Sequence, residues 1–241
     1  MSLIFIACIA FLAALIQTTG GFGFGSLFVP FISLILPYKN AAMISVLTCI
    51  FLQITIIIRY FKKIKWNLVI IPAIFSFITS TIGVHLMVGF SAKTMSLLLG
   101  IFLWILAIYL IKFAPKIQLS KNIFTEACVG SLSGLSGGLF AVGGPPMVAY
   151  YDSVIDDPIT YQATIQTYFF LTSIILLVND LIYTQFSNRL SLFSICAVGG
   201  CLIGTYVGNR ILQKISMQTV RKIAYIVMLI AGTYNLIQGI I

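Results

Sequence analysis

Charge is what this chain has least of. Lys, Arg, Asp and Glu together make up 8% of its 241 residues, against about 25% in an ordinary soluble domain. There are five acids and one histidine, His85. No Lys or Arg falls in the middle of any apolar segment. With 60% hydrophobic residues and a mean hydropathy of +1.11, the chain carries more apolar surface than a soluble globule can hide, so lipid must be the solvent for most of it. This excludes a soluble enzyme, a nucleic-acid binder and a disordered chain. The net charge of +9 reads as an orientation signal, not as a footprint for nucleic acid. Long polar stretches are also missing. The longest, near 112–122 and 151–160, are loops, which leaves no room for a sizeable soluble domain. The five cysteines (Cys8, Cys49, Cys128, Cys196 and Cys201) are odd in number, lie in apolar segments and form no CxxC. They fit neither a disulfide framework nor a zinc site and read as small packing residues. Nothing in the pattern calls for a cofactor or a metal. No Lys or Arg precedes the apolar residues 2–16, so the basic region of a signal peptide is missing and this segment is expected in the mature protein.

Six segments have the length of ordinary membrane spans: about 41–59, 68–90, 94–112, 160–182, 190–209 and 219–240. Two more are too long and are interrupted. Residues 2–36 are broken at Gly20-Gly21-Phe22-Gly23-Phe24-Gly25. Residues 123–151 are expected to break twice, at Gly134-Leu135-Ser136-Gly137-Gly138 and at Gly143-Gly144-Pro145-Pro146. Backbone freed by such breaks is tolerated at membrane depth only against protein or a water-filled cavity. The distribution of basic residues decides whether these segments cross or fold back. If each crosses once, the two sides hold eight and six Lys/Arg, which orients nothing. If each is a hairpin of two half-helices, one side holds Arg59, Lys62, Lys63, Lys65, Lys112, Lys116, Lys121, Arg210, Lys214, Arg221 and Lys222, and the other only Lys39, Lys93 and Arg189. The hairpin arrangement satisfies the positive-inside rule and puts both termini outside.

The expected fold class is therefore an all-α polytopic membrane protein of two repeats, 1–115 and 116–241, each a glycine-broken hairpin plus three spans. Gly83 in the first matches Gly204 in the second. Ala41-Ala42-x-x-Ser45-x-x-Thr48 loosely matches Thr160-x-x-Ala163-Thr164-x-x-Thr167. A hairpin plus three spans is an odd number of crossings, so the second repeat must be inverted. Inverted repeats with paired Gly/Pro-interrupted segments are a transporter architecture, with substrate near the midplane. Gly200-xxx-Gly204-xxx-Gly208 reads instead as a packing ladder.

After each break a new half-helix begins, near Gly25-Ser26 and near Gly144-Pro145-Pro146. Its opening turn offers free N–H groups and the positive end of the helix dipole. Two such ends would hold a small oxyanion without any charged side chain. The candidate substrate-binding residues are Gln17, Thr18, Thr19, Gly21, Gly23, Gly25, Ser26, Ser133, Ser136, Gly138, Gly143, Gly144 and Pro145. Thr48, Gln53, Gln166 and Thr167 are added from the following helices. For Glu126, Asp180 and His85, all near span ends, a solvated or capping role is expected over a proton relay.

Gly20-Gly21-Phe22-Gly23-Phe24-Gly25-Ser26-Leu27-Phe28-Val29-Pro30 resembles the first signature of the sulfite exporter TauE/SafE family, also called the toluene sulfonate uptake permeases. Gly134-Leu135-Ser136-Gly137-Gly138, followed by Val142-Gly143-Gly144-Pro145-Pro146, resembles the second, with Gly-Gly-Pro-Pro where a third glycine is expected. The resemblance covers nearly the whole chain. It implies a multi-pass permease of a bacterial or archaeal inner membrane, with the bilayer and a small anion (sulfite, sulfoacetate or an aryl sulfonate) as partners and no nucleic acid. It leaves substrate, direction, driving ion and homo-oligomerisation open. Rival readings are an anion channel of the same architecture, an intramembrane serine protease using Ser136 with His85, and a sulfur relay through Cys49 or Cys128.

Overall fold

The structure is a computed structural model that describes residues 2–113, 118–183, 188–211 and 217–240. Ten helices run through them: α1 (Ser2–Gly20), α2 (Phe24–Ile32), α3 (Tyr38–Tyr60), α4 (Trp66–Gly89), α5 (Ala92–Lys112), α6 (Ile123–Phe140), α7 (Gly144–Val154), α8 (Pro158–Tyr183), α9 (Asn188–Ile211) and α10 (Met217–Ile240), with a 3-10 turn at Phe61–Lys63. The six expected ordinary spans are α3, α4, α5, α8, α9 and α10. Lys116, Lys214 and the repeat boundary at 115/116 lie outside the described residues.

Two expectations change. The first arm of each broken segment is not a half-helix: α1 and α6, at 19 and 18 residues, are long and apolar enough to cross a membrane, which makes eight such helices among the described residues. Only the second arms, α2 and α7, are short. The run Gly134–Gly138 also does not break its helix, because α6 continues through it to Phe140. The reason is lateral packing. A Cβ on Gly130, Gly134 or Gly138 would run into the backbone of α4 at Pro72, Ser76 and Ser80 respectively, so these glycines let two helix backbones touch.

Each short helix folds back on the long one before it. Phe24 at the start of α2 bonds the side chain of Gln17 in α1, and Gly143 lies against Ser133 of α6. The long helices then pair across the chain. Gly200, Gly204 and Gly208 of α9 lie on Ala7, Phe11 and Thr18 of α1, so these helices run parallel and the expected packing ladder is one. The α4–α6 pair is parallel in the same way. Helices α5 and α10 are antiparallel, with Gly100 on Gly232 and Leu236, and Gly239 on Leu97. So are α3 and α8, bonded from Gln53 to Ser173. The Lys65 amide, just past α3, donates to Thr164 near the start of α8. The basic loop after α3 and the acidic loop before α8 thus share one end of the molecule, as the folded-back arrangement requires.

Helix starts follow local chemistry. Ser91 caps α5 through the Thr94 amide at 3.1 Å, and Asn122 caps α6 through the Thr125 amide at 2.7 Å. Asp157, with Pro158 next, caps α8. Its Oδ2 accepts from the Thr160 amide at 3.0 Å and from the Thr160 hydroxyl at 2.6 Å, the preferred N-terminal chemistry of a helix. Outward faces are large and apolar, as at Ile70, Ile74, Phe77 and Ile78 of α4, whereas Ser76, Ser80 and Gly83 of the same helix are buried.

The ladder yields a neighbour test. A Cβ on Gly200 meets the Ala7 carbonyl, while one on Gly199 meets nothing within 4 Å. Gly200→Leu is expected to lower stability by at least the roughly 1–3 kcal/mol of an overpacked core, and Gly199→Leu to leave it unchanged, in thermal melts of the detergent-purified protein. A second test concerns pH. The Thr160 side-chain and backbone hydrogen bonds hold the Asp157 carboxyl below its usual range. Its contribution to stability is present above about pH 4 and is lost as pH falls through the folded-state pKa. Asp157→Ala should remove that acid-side loss and lower the melting temperature at neutral pH.

Candidate functional site

The first break turns through two residues in a region that favours glycine, Gly21 at φ +89° and Gly23 at φ +122°. Its freed polar groups are taken up by amide side chains. Gln17 accepts from the Phe24 amide at 3.0 Å and donates to Gln166 at 3.2 Å. Gln166 donates to the Gly21 carbonyl at 3.1 Å, and Gln162 to the Thr18 carbonyl at 2.9 Å. Arg221, paired with Asp152 and bonded to the Tyr161 hydroxyl at 3.0 Å, donates through Nε to the Gly20 carbonyl at 3.1 Å. The second break turns at Ala141, a left-handed non-glycine residue at φ 53°, and is tied by the Ser133 hydroxyl, which donates to the Gly143 carbonyl.

The two breaks touch. A Cβ on Gly25 would land on the Ala141 carbonyl, and one on Gly144 would come within 2.9 Å of Phe22 Cβ. Between them and helices α3, α4, α6 and α8 lies a cavity of about 70 Å³, room for several waters or one small oxyanion. Among the described residues no charged side chain lines it.

Of the candidate residues, Gln17, Gly23, Gly25, Ser26, Ser133, Gly143, Gly144, Pro145 and Gln53 line the cavity. The others are placed elsewhere. Thr18 packs against Gly208. The hydroxyls of Thr19, Ser136 and Thr167 donate back to Leu15, Leu132 and Ala163 of their own helices. Gly138 is pressed on α4, and Gly21 on the Tyr161 ring. Gln166 holds the break from behind. Thr48 is buried, with its carbonyl facing the Cys201 thiol. Sequence reasoning missed Ser45, Ser76, Ser80, Thr172, Ser173 and the apolar wall of Phe22, Phe169 and Leu176. A signal for part of it existed: Ser76, Ser80 and Gly83 are small residues at helical spacing in an otherwise bulky helix. Buried in this region, Gln53 Oε1 has no hydrogen-bond partner among the described residues, and the Tyr168 hydroxyl faces the hydroxyls of Ser76 and Ser133.

The helix starts are unequal donors. The Phe24 amide is occupied by Gln17, which leaves those of Gly25 and Ser26 in the opening turn of α2. Pro145 and Pro146 have no N–H, so the opening turn of α7 presents only glycine amides. Hydroxyls of α3, α4 and α8 and the apolar side chains of Phe22, Phe169 and Leu176 make up most of the remaining wall.

The rivals find less. Ser136 is bonded within an intact helix, and His85 is exposed on α4. Cys49 does line the cavity, whereas Cys128 is exposed. Among the described residues no three His, Cys, Asp or Glu cluster as metal ligands.

Two interrupted helices meeting at a neutral polar cavity within a bundle of long apolar helices define a polytopic membrane protein of the broken-helix kind. The chain belongs to the TauE/SafE family: a family model described as Sulfite exporter TauE/SafE matches residues 6–235. That is a family of membrane transporters, not of enzymes. No curated protein and no solved structure matches the chain.

The amide clamp should be separable from the back-bonded hydroxyls. Gln166→Ala leaves the buried Gly21 carbonyl and Gln17 amide without partners, a loss of about 1–3 kcal/mol. Thr167→Ala should change stability by well under that. Denaturation monitored by circular dichroism distinguishes the two.

Proposed function

We propose that the chain exports a small sulfur-containing or organic anion, such as sulfite or a sulfonate, across a bacterial or archaeal inner membrane by alternating access. The observation that carries this reading is the cavity itself: neutral, hydroxyl-lined, and walled by the starts of α2 and α7. Backbone amides at helix starts favour an anion, and the absence of a fixed positive charge keeps binding weak enough for release.

The two repeats, residues 1–115 and 116–241, rock against each other around this cavity as an inverted pair. Reciprocal packing supports this. The first arm of each hairpin lies parallel on the fourth helix of the other half (α1 on α9, α6 on α4), while the third and fifth helices meet their counterparts antiparallel. A two-fold axis in the membrane plane relates such pairs in this way. The basic residues Arg59, Lys62, Lys63, Lys65, Lys112, Lys121, Arg210, Arg221 and Lys222 face the cytoplasm and both ends of the chain lie outside.

Thermal stability of the purified protein against sulfite, sulfate, thiosulfate, sulfoacetate, an aryl sulfonate, acetate and chloride tests the reading. A ligand that binds only the folded state raises the melting temperature. Sulfur oxyanions should raise it and chloride should not. Ser76→Ala removes a cavity-lining hydroxyl whose protein neighbour is the Tyr168 phenol, so it should lower the ligand-free stability by about 1 kcal/mol at most and reduce the oxyanion shift. A shift with none of these anions would remove the anion reading.

A further inference from the structure

Two of the acids expected to be solvated or capping, Glu126 and Asp180, are buried inside the bundle. Glu126, 3% exposed, accepts a hydrogen bond from the Tyr150 hydroxyl at 2.6 Å. Asp180 is also 3% exposed, yet no hydrogen bond or ion pair reaches it among the described residues. An isolated carboxylate is costly in such a place and is retained where it does something.

Its position on α8 says what. Phe169, Thr172, Ser173 and Leu176 line the cavity, and Asp180 follows Leu176 by four residues. All five share one helix face. Asp180 therefore sits about 6 Å along the axis beyond the cavity wall, toward the end of α8 away from the basic loops. Among the described residues no counter-charge faces it, and the side chain of Arg189, at the start of α9, lies outside them. From α3, the Tyr38 phenol faces it, its hydroxyl already donating to the Leu139 carbonyl at 3.0 Å. Lys39 lies at this end with its ammonium on the Val88 carbonyl at 2.9 Å. From α4, His85 is exposed. Glu126 of α6, Tyr150 and Tyr151 of α7, and Lys62 and Lys63 of the 3-10 turn lie toward the start of α8, where Lys63 acts on Asp157.

We propose that Asp180 is the proton-binding site of this transporter, and that one proton binds to its carboxylate as the anion enters the cavity. This rests on the anion reading above. An anion one turn from an ionised carboxylate is repelled across a medium of low dielectric, and a proton on Asp180 cancels that repulsion. By linkage the effect is reciprocal: protonation strengthens anion binding by the factor by which the anion strengthens protonation. For charges about 8–10 Å apart at an effective dielectric near 20, that factor is roughly tenfold or more. The proton moves from water to an Asp180 oxygen, no other bond changes, and a monoanion with its proton crosses without net charge.

The test uses the full-length protein in lipid nanodiscs. Thiosulfate, sulfate and methanesulfonate serve as probes because their own charge is constant between pH 5 and 8. Calorimetric titrations in buffers of different ionisation enthalpy count the protons taken up on binding. The expected result is affinity falling roughly tenfold from pH 5 to 8, with proton uptake passing through a maximum of roughly half a proton where the affinity falls most steeply. Asp180→Asn and Asp180→Ser, neutral at every pH, should bind with pH-independent affinity and take up no proton. Wild-type binding without proton uptake, or the same uptake in a folded Asp180 variant, overturns the inference while leaving the anion site intact. If none of the three probes binds at any pH, the anion reading falls and this inference with it.

Discussion

Breaking a helix inside lipid frees backbone groups that water cannot reach, and each must find a partner within the protein. This protein meets that demand twice in one place. The break after α1 is satisfied by Gln17, Gln162, Gln166 and Arg221, and the break after α6 by Ser133. The two are then pressed together until the α-carbon of Gly25 sits under the Ala141 carbonyl. Most of the clamping groups on the first break come from α8 and α10, far along the chain. The break is thus held from the other half of the molecule, and the cavity exists because the two halves meet there.

Glycine performs two different tasks in this arrangement. Gly21 and Gly23 supply backbone angles that side chains resist. Gly130, Gly134, Gly138, Gly200 and Gly204 sit in ordinary helix and supply closeness. In lipid no hydrophobic effect drives one apolar helix onto another, so contact between backbones must hold the long helices together. The parallel pairs α1–α9 and α4–α6 are built in this way, and they carry the long arms whose ends form the breaks.

The electrostatics of the bundle are arranged around a neutral centre. The cavity wall carries hydroxyls, the side-chain amides of Gln17 and Gln53, the backbone amides of two helix starts and an apolar patch, and among the described residues no ionised group. Charge stands back from it. Arg221 and Asp152 are paired beside the first break, and Asp180 lies one turn beyond the wall at the other side. A family of sulfite exporters needs a site that selects an anion and releases it again. In the export reading proposed above, partial charges on amides and hydroxyls serve the first without preventing the second, whereas a buried lysine or arginine would hold the ligand through a full charge in a low dielectric.

The six ordinary spans, the breaks at Gly20–Gly25 and Gly143–Pro146, and the loops that carry the basic residues were legible in the sequence. They depend on local quantities: runs of apolar residues, glycine and proline at turns, and Lys/Arg in loops. The glycines at 134–138 misled because glycine looks the same whether it ends a helix or lets another helix approach, and only the position of α4 tells them apart. The division of the polar residues was decided by tertiary structure for the same reason. Gln166 and Gln53 are similar residues on neighbouring helices, yet one clamps the break from behind and the other lines the cavity. Ser76 and Ser80 face the cavity, while Ser136 and Thr167 turn back on their own helices. Which way each points follows from the rotation of its helix about its axis. That rotation is set by backbone contacts between residues more than fifty positions apart, such as Ser76 with Gly134 and Ala7 with Gly200.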